Sequence, residues 1–262
     1  EPGTLPVAVT VARSPFIGGQ ETAVLELLDG RDNLPVTSWA PASVTGLRGR
    51  PTLVSNAETF AQVAALLAMG PAGYAELGTP SEPGTTLLTV AGDGPHGAVV
   101  EVPYGVALGE VLEFCGYDPA SAVLLGGYHG TWVPPGAAAS LPVSREQLRA
   151  RGLALGAGVV LPLDARTCPV VVTAGVAGYL GSVSAGRCGP CRNGLPALAE
   201  AVGALADGGG PAATQRTADL AELVTGRGAC AHPDGTARLV ASMLLAFPGE
   251  VHRHELGGCS FR

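Results

Sequence analysis

The chain has 262 residues, 47% of them hydrophobic, which is enough for packed cores, and its length suggests two domains or three small ones. Only 14% are charged, the formal net charge is −7, and all 15 basic residues are Arg. The absence of Lys excludes a Walker-type phosphate lysine, a pyridoxal Schiff base and a lysine general base, and the acidic balance without a basic cluster argues against nucleic acid as a partner.

Leu5 to Val11 reads as a β-like run, and Glu21 to Asp29 as a short helix behind a Gly-Gly pair. A Pro/Gly-rich coil follows from Gly30 to Pro51. Ser55-Asn56-Ala57-Glu58 fits a capping box, which opens a helix with Phe60, Val63, Ala64 and Leu67 on one face and a stop at Gly70-Pro71. The pattern then turns to strands. Thr85–Ala91 and Ala98–Val102 form a hairpin through Gly92-Asp93-Gly94-Pro95, and helical spacing returns over Val106–Phe114. Ser121–Leu125 and Val159–Leu163 are further strands, with a second capping box, Ser144 and Gln147, starting a helix through Arg149. Two strands, a helix, then more strands is the order of a β-grasp unit. From Cys168 onward the strands end. Val170–Leu180, the Leu195–Leu205 stripe, Leu220–Val224 and Leu239–Phe247 predict a small helical bundle, with Asp234 as a candidate N-cap. The fold class is therefore α+β, divided at about residues 79 and 165.

The least interrupted apolar stretch, Phe60 to Met69, is too short to span a bilayer, so direct membrane insertion is not expected. No signal-peptide pattern opens the chain, and Glu1 is not a start residue, from which a preceding N-terminal portion is expected. Six Cys in so long a chain do not make a disulfide scaffold; their clustering fits metal or redox chemistry in a reducing compartment.

That chemistry concentrates in R-C-G-P-C-R, Arg187 to Arg192, and in G-R-G-A-C-A-H-P-D, Gly226 to Asp234. Cys188 and Cys191 precede one predicted helix and Cys230 precedes another, where the helix N-terminus favours the thiolate that iron or zinc requires. Four readings compete. The leading one is an iron–sulfur cluster on Cys188, Cys191 and Cys230 with an unidentified fourth ligand. Zinc on the same thiols with His232 would complete a Cys₃His set. A thioredoxin-like dithiol matches the C-G-P-C string but lacks the strand that family places before its first Cys. Ordinary buried thiols are the fourth.

The tail resembles the C-terminal part of the flavoprotein subunit of respiratory complex I (the F subunit of NADH-quinone oxidoreductase) and its relatives in formate dehydrogenases and hydrogenases. Ser184 to Gly194 lies over that family's E-S-C-G-x-C-x-P-C-R-E-G, and Ala229-Cys230-Ala231 over its I-C-A. Upstream, Phe16–Ala23 is similar to Y-I-C-G-E-E-T-A, Leu28–Arg31 to L-E-G-R, Gly49–Thr52 to G-K-P-T and Val54–Thr59 to V-N-N-V-E-T, while Glu101–Gly105 resembles the soluble-ligand-binding β-grasp domain. The resemblance implies the second half of a flavin/NADH-binding domain over residues 1–79, a β-grasp domain over 80–165 and an iron–sulfur-binding helical domain over 166–262. It implies electron transfer from NADH and FMN through a 4Fe–4S or 3Fe–4S cluster to other redox subunits or a ferredoxin-like acceptor, in the cytoplasm or at the membrane surface within a complex. Cys188, Cys191 and Cys230 take the ligand positions, and Gly18, Gly19, Gln20, Glu21 and Asn56 the FMN side. Ala185 stands where the first family Cys would be, leaving Cys259 or His232 as candidates for the fourth corner. No G-R-G-G-x-G-F string occurs in the chain, so FMN and NADH sites are expected to be incomplete and the chain alone inactive toward NADH. The alternatives are a non-catalytic docking module and a zinc-stabilised structural domain.

Overall fold

The structure, a computed structural model, describes residues 6–12, 16–92, 97–117, 120–134 and 136–261. Helix α1 (Glu21–Leu28) and helix α2 (Ala57–Tyr74) precede the sheet. The sheet has strands β1 (Thr85–Val90), β2 (Ala98–Pro103), β3 (Ala122–Leu125), β4 (Thr131–Val133) and β5 (Val159–Leu163), with α3 (Leu108–Phe114) and α4 (Arg145–Arg149) between them. Helices α5 (Pro169–Ser182), α6 (Leu195–Ala206), α7 (Gly210–Val224), α8 (His232–Ala246) and α9 (Pro248–Glu255) follow.

The sheet order is β2-β1-β5-β3-β4. The β1–β2, β3–β4 and β3–β5 pairs are antiparallel, and β1 and β5 run parallel at the centre. Strand alternation sorts side chains between two cores. Leu88, Val90, Val123, Leu125 and Val160 meet Leu108, Val111, Leu112 and Leu148 on one face. Leu124, Trp132 and Leu163 point to the other, where Leu180, Leu198, Val202, Leu239 and Met243 of the bundle cover them. Trp132 pins this second core: its indole N–H donates to Thr173 Oγ1 at 2.9 Å, and the Ser242 hydroxyl oxygen accepts its backbone N–H at 3.0 Å.

Several sequence expectations need correction. Residues 6–12 form no strand, and Val7, Val9 and Val11 stand in solvent with no strand among the described residues paired to them (Leu5 lies outside the described residues). The N-cap of α2 is Asn56 rather than Ser55: Asn56 Oδ1 accepts the Thr59 N–H at 2.8 Å, while the Glu58 carboxylate in the first turn accepts from Thr86 Oγ1 and the Leu87 N–H of β1. The regular helix breaks at Gly70 as expected, at φ 75°, yet one more turn follows to Tyr74. The face carrying Phe60, Val63 and Leu67 is uncovered. Ser144 caps α4 by accepting the Gln147 N–H, but the reciprocal partner is Glu82, whose carboxylate accepts the Arg145 and Glu146 N–H groups. Asp234 is not the N-cap of α8; that position is Ala231, and Asp234 in the first turn accepts the Gly226 N–H instead. The β1–β2 turn at Asp93–Pro95 lies outside the described residues. Strand β4 and helix α9 have no signal in the sequence pattern, the first because it is three residues long and the second because it carries one buried apolar residue, Val251.

Candidate functional site

Helix α5 ends at Ser182, and the chain turns through Gly186 at φ 64° into the Cys188 loop. Residues Pro190–Gly194 then form one π-helical turn leading directly into α6. Proline is tolerated there because the first-turn N–H it lacks has no helical acceptor. A π turn leaves backbone groups outside the regular ladder and is frequent at functional sites. Cys191 sits inside it, buried, while Cys188 and Cys230 are half-buried. Cys230 arrives from the loop between α7 and α8.

Cys188 and Cys191 are in contact, and Cys230 lies near enough for its charge to act on Cys191. Burial raises the Cys188 thiol, but the backbone N–H groups of Ala229 and Cys191, the Cys191 thiol and its own N–H together hold it below its ordinary value. Burial, then the sulfurs of Cys188 and Cys230, push Cys191 up to about 11, partly offset by the Gly186 N–H. Two sulfur sites that repel each other's charge through both loops form a set that a positively charged centre would stabilise. The donor N–H groups already point at sulfur.

Neither candidate for the fourth corner reaches this place. His232 is buried with both ring nitrogens engaged: Nε2 lies 2.9 Å from the Leu180 carbonyl oxygen and Nδ1 3.0 Å from His129 Nε2. The Cys₃His zinc set is therefore overturned. Cys259 packs beside Cys168, which caps the opposite end of α5. Fourteen helical residues put those ends about 21 Å apart. Ser184, beside Ala185, sends its hydroxyl to the Cys191 carbonyl at 3.5 Å.

The expected flavin-side residues fall in two places. Gly18 and Gly19 close a short 3-10 turn, and Gln20 caps α1 with its Oε1 accepting the Thr22 and Ala23 N–H groups. Glu21 Oε1 accepts the Ala42 N–H at 3.3 Å. Asn56 caps α2, a helix anchored on β1. The first group is tied to the cysteine loop: Asn33 donates to the Gly18 and Ala23 carbonyls at 3.0 Å, and neighbouring Asp32 pairs with Arg187 at 3.4 Å.

A cleft of about 510 Å³ opens between the sheet and the bundle, lined by Phe16, Tyr128, His129 and Arg238 and by the backbone of Gly126, Gly127 and Gly156. Phe16 meets His129, His232 and Tyr179 edge-on. Burial, then His232 and Arg238, lowers the His129 imidazole to about 4, and burial lowers His232, partly offset by the Leu180 carbonyl. Sequence reasoning places no function here.

Among the described residues, Cys168, Glu250, His254 and Cys259 bring one donor atom each within 4.8 Å of all the others. Sequence reading gives Cys168 no role and places Cys259 at the wrong centre. The usable signal is Glu250 and His254, four residues apart and hence on one helix face.

Residues 172–254 match the family described as NADH-ubiquinone oxidoreductase-F iron-sulfur binding region. The chain is 30% identical to the NADH-quinone oxidoreductase F subunit of Mycobacterium tuberculosis and 29% to that of Streptomyces coelicolor, each over 98% of this chain. It spans 59% and 58% of those relatives' lengths. In three dimensions it resembles an NAD+-reducing NiFe-hydrogenase in the H2-reduced state, at TM-score 0.82 and 29% identity, over 91% of this chain and 41% of that one. By these matches residues 172–254 carry that iron–sulfur binding region, and the chain as a whole is similar to the NADH-quinone oxidoreductase F subunit over rather more than half of that subunit's length.

Proposed function

We propose that Cys188, Cys191 and Cys230 hold an iron–sulfur cluster and that the chain serves as an electron-transfer component of a larger redox assembly. The observation that carries this reading is the approach of Cys230, from one loop, to the contacting Cys188 and Cys191 of another, with backbone N–H groups already directed at those two. The matched iron–sulfur binding region contains all three. With Ala185 in the fourth position, and His232 and Cys259 engaged elsewhere, three thiolates favour a 3Fe–4S over a 4Fe–4S centre. When bound, such a cluster supplies single-electron transfer.

The chain's own residues set the conditions. The N–H groups of Ala229, Cys191 and Gly186 hold negative charge on sulfur, and burial of Cys191 keeps water from it. Arg187, held by Asp32, adds a positive charge beside Cys188. On this reading the residues divide into a flavin-side segment (1–79), a β-grasp unit (80–165) and a cluster-binding bundle (166–262). Gln20 and Asn56 use their side-chain oxygens as helix caps, which leaves the Gly18-Gly19 backbone and Glu21 as the surface toward FMN and NADH. Other redox subunits or a ferredoxin-like protein would accept the electrons, in the cytoplasm or at a membrane surface; no described helix is long and apolar enough to cross a membrane.

The test is electron paramagnetic resonance on anaerobically prepared protein. The expected result is an isotropic signal in the oxidised form, with iron and sulfide in comparable amounts, both abolished by Cys191→Ser. Silence in oxidised and dithionite-reduced protein alike overturns the reading. It would favour instead a docking module without cofactor, for which the uncovered apolar face of α2 and the Ala185 substitution speak.

A further inference from the structure

We infer that Cys168, Glu250, His254 and Cys259 form a second metal site, one that takes a zinc ion and clamps the far edge of the bundle. This site stands whether or not Cys188, Cys191 and Cys230 hold a cluster. The four donors come from the N-cap of α5, two successive turns of α9 and the tail behind it. Cys168 Sγ lies 3.3 Å from His254 Nε2 and 3.8 Å from Glu250 Oε1, and those last two are 3.4 Å apart. For zinc bonds of about 2.3 Å to sulfur and 2.0–2.1 Å to nitrogen and oxygen, tetrahedral edges come to roughly 3.5 Å for sulfur–nitrogen and sulfur–oxygen and 3.4 Å for nitrogen–oxygen. The observed triangle lies within about 0.3 Å of that set on every edge.

The surrounding bonds orient each donor. His254 Nδ1 lies 2.9 Å from the Ala206 carbonyl oxygen, which fixes the proton on Nδ1 and leaves Nε2 a bare lone pair aimed at the other three groups. Glu250 Oε1 also accepts the Ser260 N–H at 3.0 Å, and Cys168 sulfur accepts the N–H groups of Val171 and Val170 at the start of α5. Cys259 contacts both Cys168 and Glu250. Three of the four side chains are buried, where an acid, a histidine and a thiol gain little from packing alone. Two thiolates, a neutral imidazole and a carboxylate are a borderline-soft set suited to zinc. Binding releases the two thiol protons to solvent.

The full chain, expressed with zinc available, is expected to carry about one zinc per chain by plasma mass spectrometry, and cobalt substitution should give the visible bands of a tetrahedral thiolate site. Cys259→Ala lies on the half-exposed tail and should preserve far-UV circular dichroism while lowering zinc occupancy tenfold or more. His254→Gln is the second, independent variant and should do the same. Zinc should persist when Cys188, Cys191 and Cys230 are all changed to Ser, which separates this site from the first. The zinc site is refuted if wild-type protein dialysed against zinc holds less than about a tenth of an equivalent, if Cys259→Ala and His254→Gln retain it, or if Cys168 and Cys259 are found disulfide-bonded in protein purified without air.

Discussion

Acid should weaken this fold through one buried pair of imidazoles before carboxylates begin to titrate. His232 Nε2–H donates to the Leu180 carbonyl, so its Nδ1 is the acceptor and His129 Nε2–H the donor of the 3.0 Å bond between the rings. A second proton on His232 would set two N–H groups face to face, and one on His129 would add charge beside the Arg238 guanidinium that donates to its carbonyl. His129 is held at about 4 in the fold against 6.5 unfolded, so the unfolded state binds more protons throughout that window. Stability is therefore fully present above about pH 6.5 and is lost as pH falls toward about 4. From pH 7.5 to pH 5 the linkage integral gives a loss of about 2 kcal/mol for His129 alone, with His232 adding in the same direction. The measurement is urea unfolding of wild type and His129→Gln at a series of pH values above 5, where most carboxylates stay ionised. Wild type should lose midpoint steadily and the variant, though weaker at pH 7.5, should lose at least about 1 kcal/mol less over the same interval. Parallel pH profiles would show that this imidazole is not the acid-sensitive group.

Ala185→Cys should restore a fourth thiolate beside Cys188, raising iron from about three to four per chain and moving the paramagnetic signal from the oxidised to the reduced form. An unchanged spectrum would mean that position 185 does not face the centre. Trp132→Ala should cost about 3–5 kcal/mol by urea unfolding, since it empties the core between sheet and bundle and removes the indole bond to Thr173; a loss under 1 kcal/mol would show that the two layers do not depend on each other. Gly235→Ala should cost about 1–3 kcal/mol, because a Cβ there overlaps the His129 ring, which neighbouring side chains hold in place. Full stability in that variant would mean the ring is free to move.

Periodicity makes most of the helices and the sheet visible. Strand β5 and helix α6 have strong patterns, each preceded by a Gly and followed by an Asp, and fall where the spacing puts them. What periodicity does not show is which apolar faces find a partner. Phe60, Val63 and Leu67 are spaced as a core face yet stand open, because α2 meets β1 through Glu58 and Gln62 and no described residue buries this face. Caps shift for a related reason: Glu58 and Glu82 each have two possible backbone clients, and tertiary placement beside β1 and α4 decides between them. For the proposed cysteine centre, the sequence nominates Cys188 and Cys191 from one short string and Cys230 from the loop before a later helix. The fourth corner is misjudged from sequence because nearness to Cys230 along the chain says nothing about where the His232 ring points. Zinc donors in Glu250 and His254 escape notice because α9 is mostly polar and has no apolar stripe to mark it.

Helix α5 gives the bundle its logic. It is apolar on nearly every side, so its position is fixed by burial, with Val170, Thr173, Ala177 and Leu180 all inside. A helix locked along its whole length transmits position to both ends. At the C-terminal end the chain leaves it for the Cys188 loop, and Leu180 there anchors His232 and with it the start of α8, just past Cys230. At the N-terminal end Cys168 meets α9 and the tail, while His254 reaches back to Ala206 at the close of α6. Helix α6 is likewise fixed twice, by the Cys191 turn at its start and by the His254 bond at its finish. A redox-silent ion at the far end would thus set the register of the same two helices that present Cys188 and Cys191, without itself taking an electron. Loss of that clamp should loosen the cysteine loops from a distance, by freeing α5 and α6 to slide rather than by touching any sulfur in the first centre.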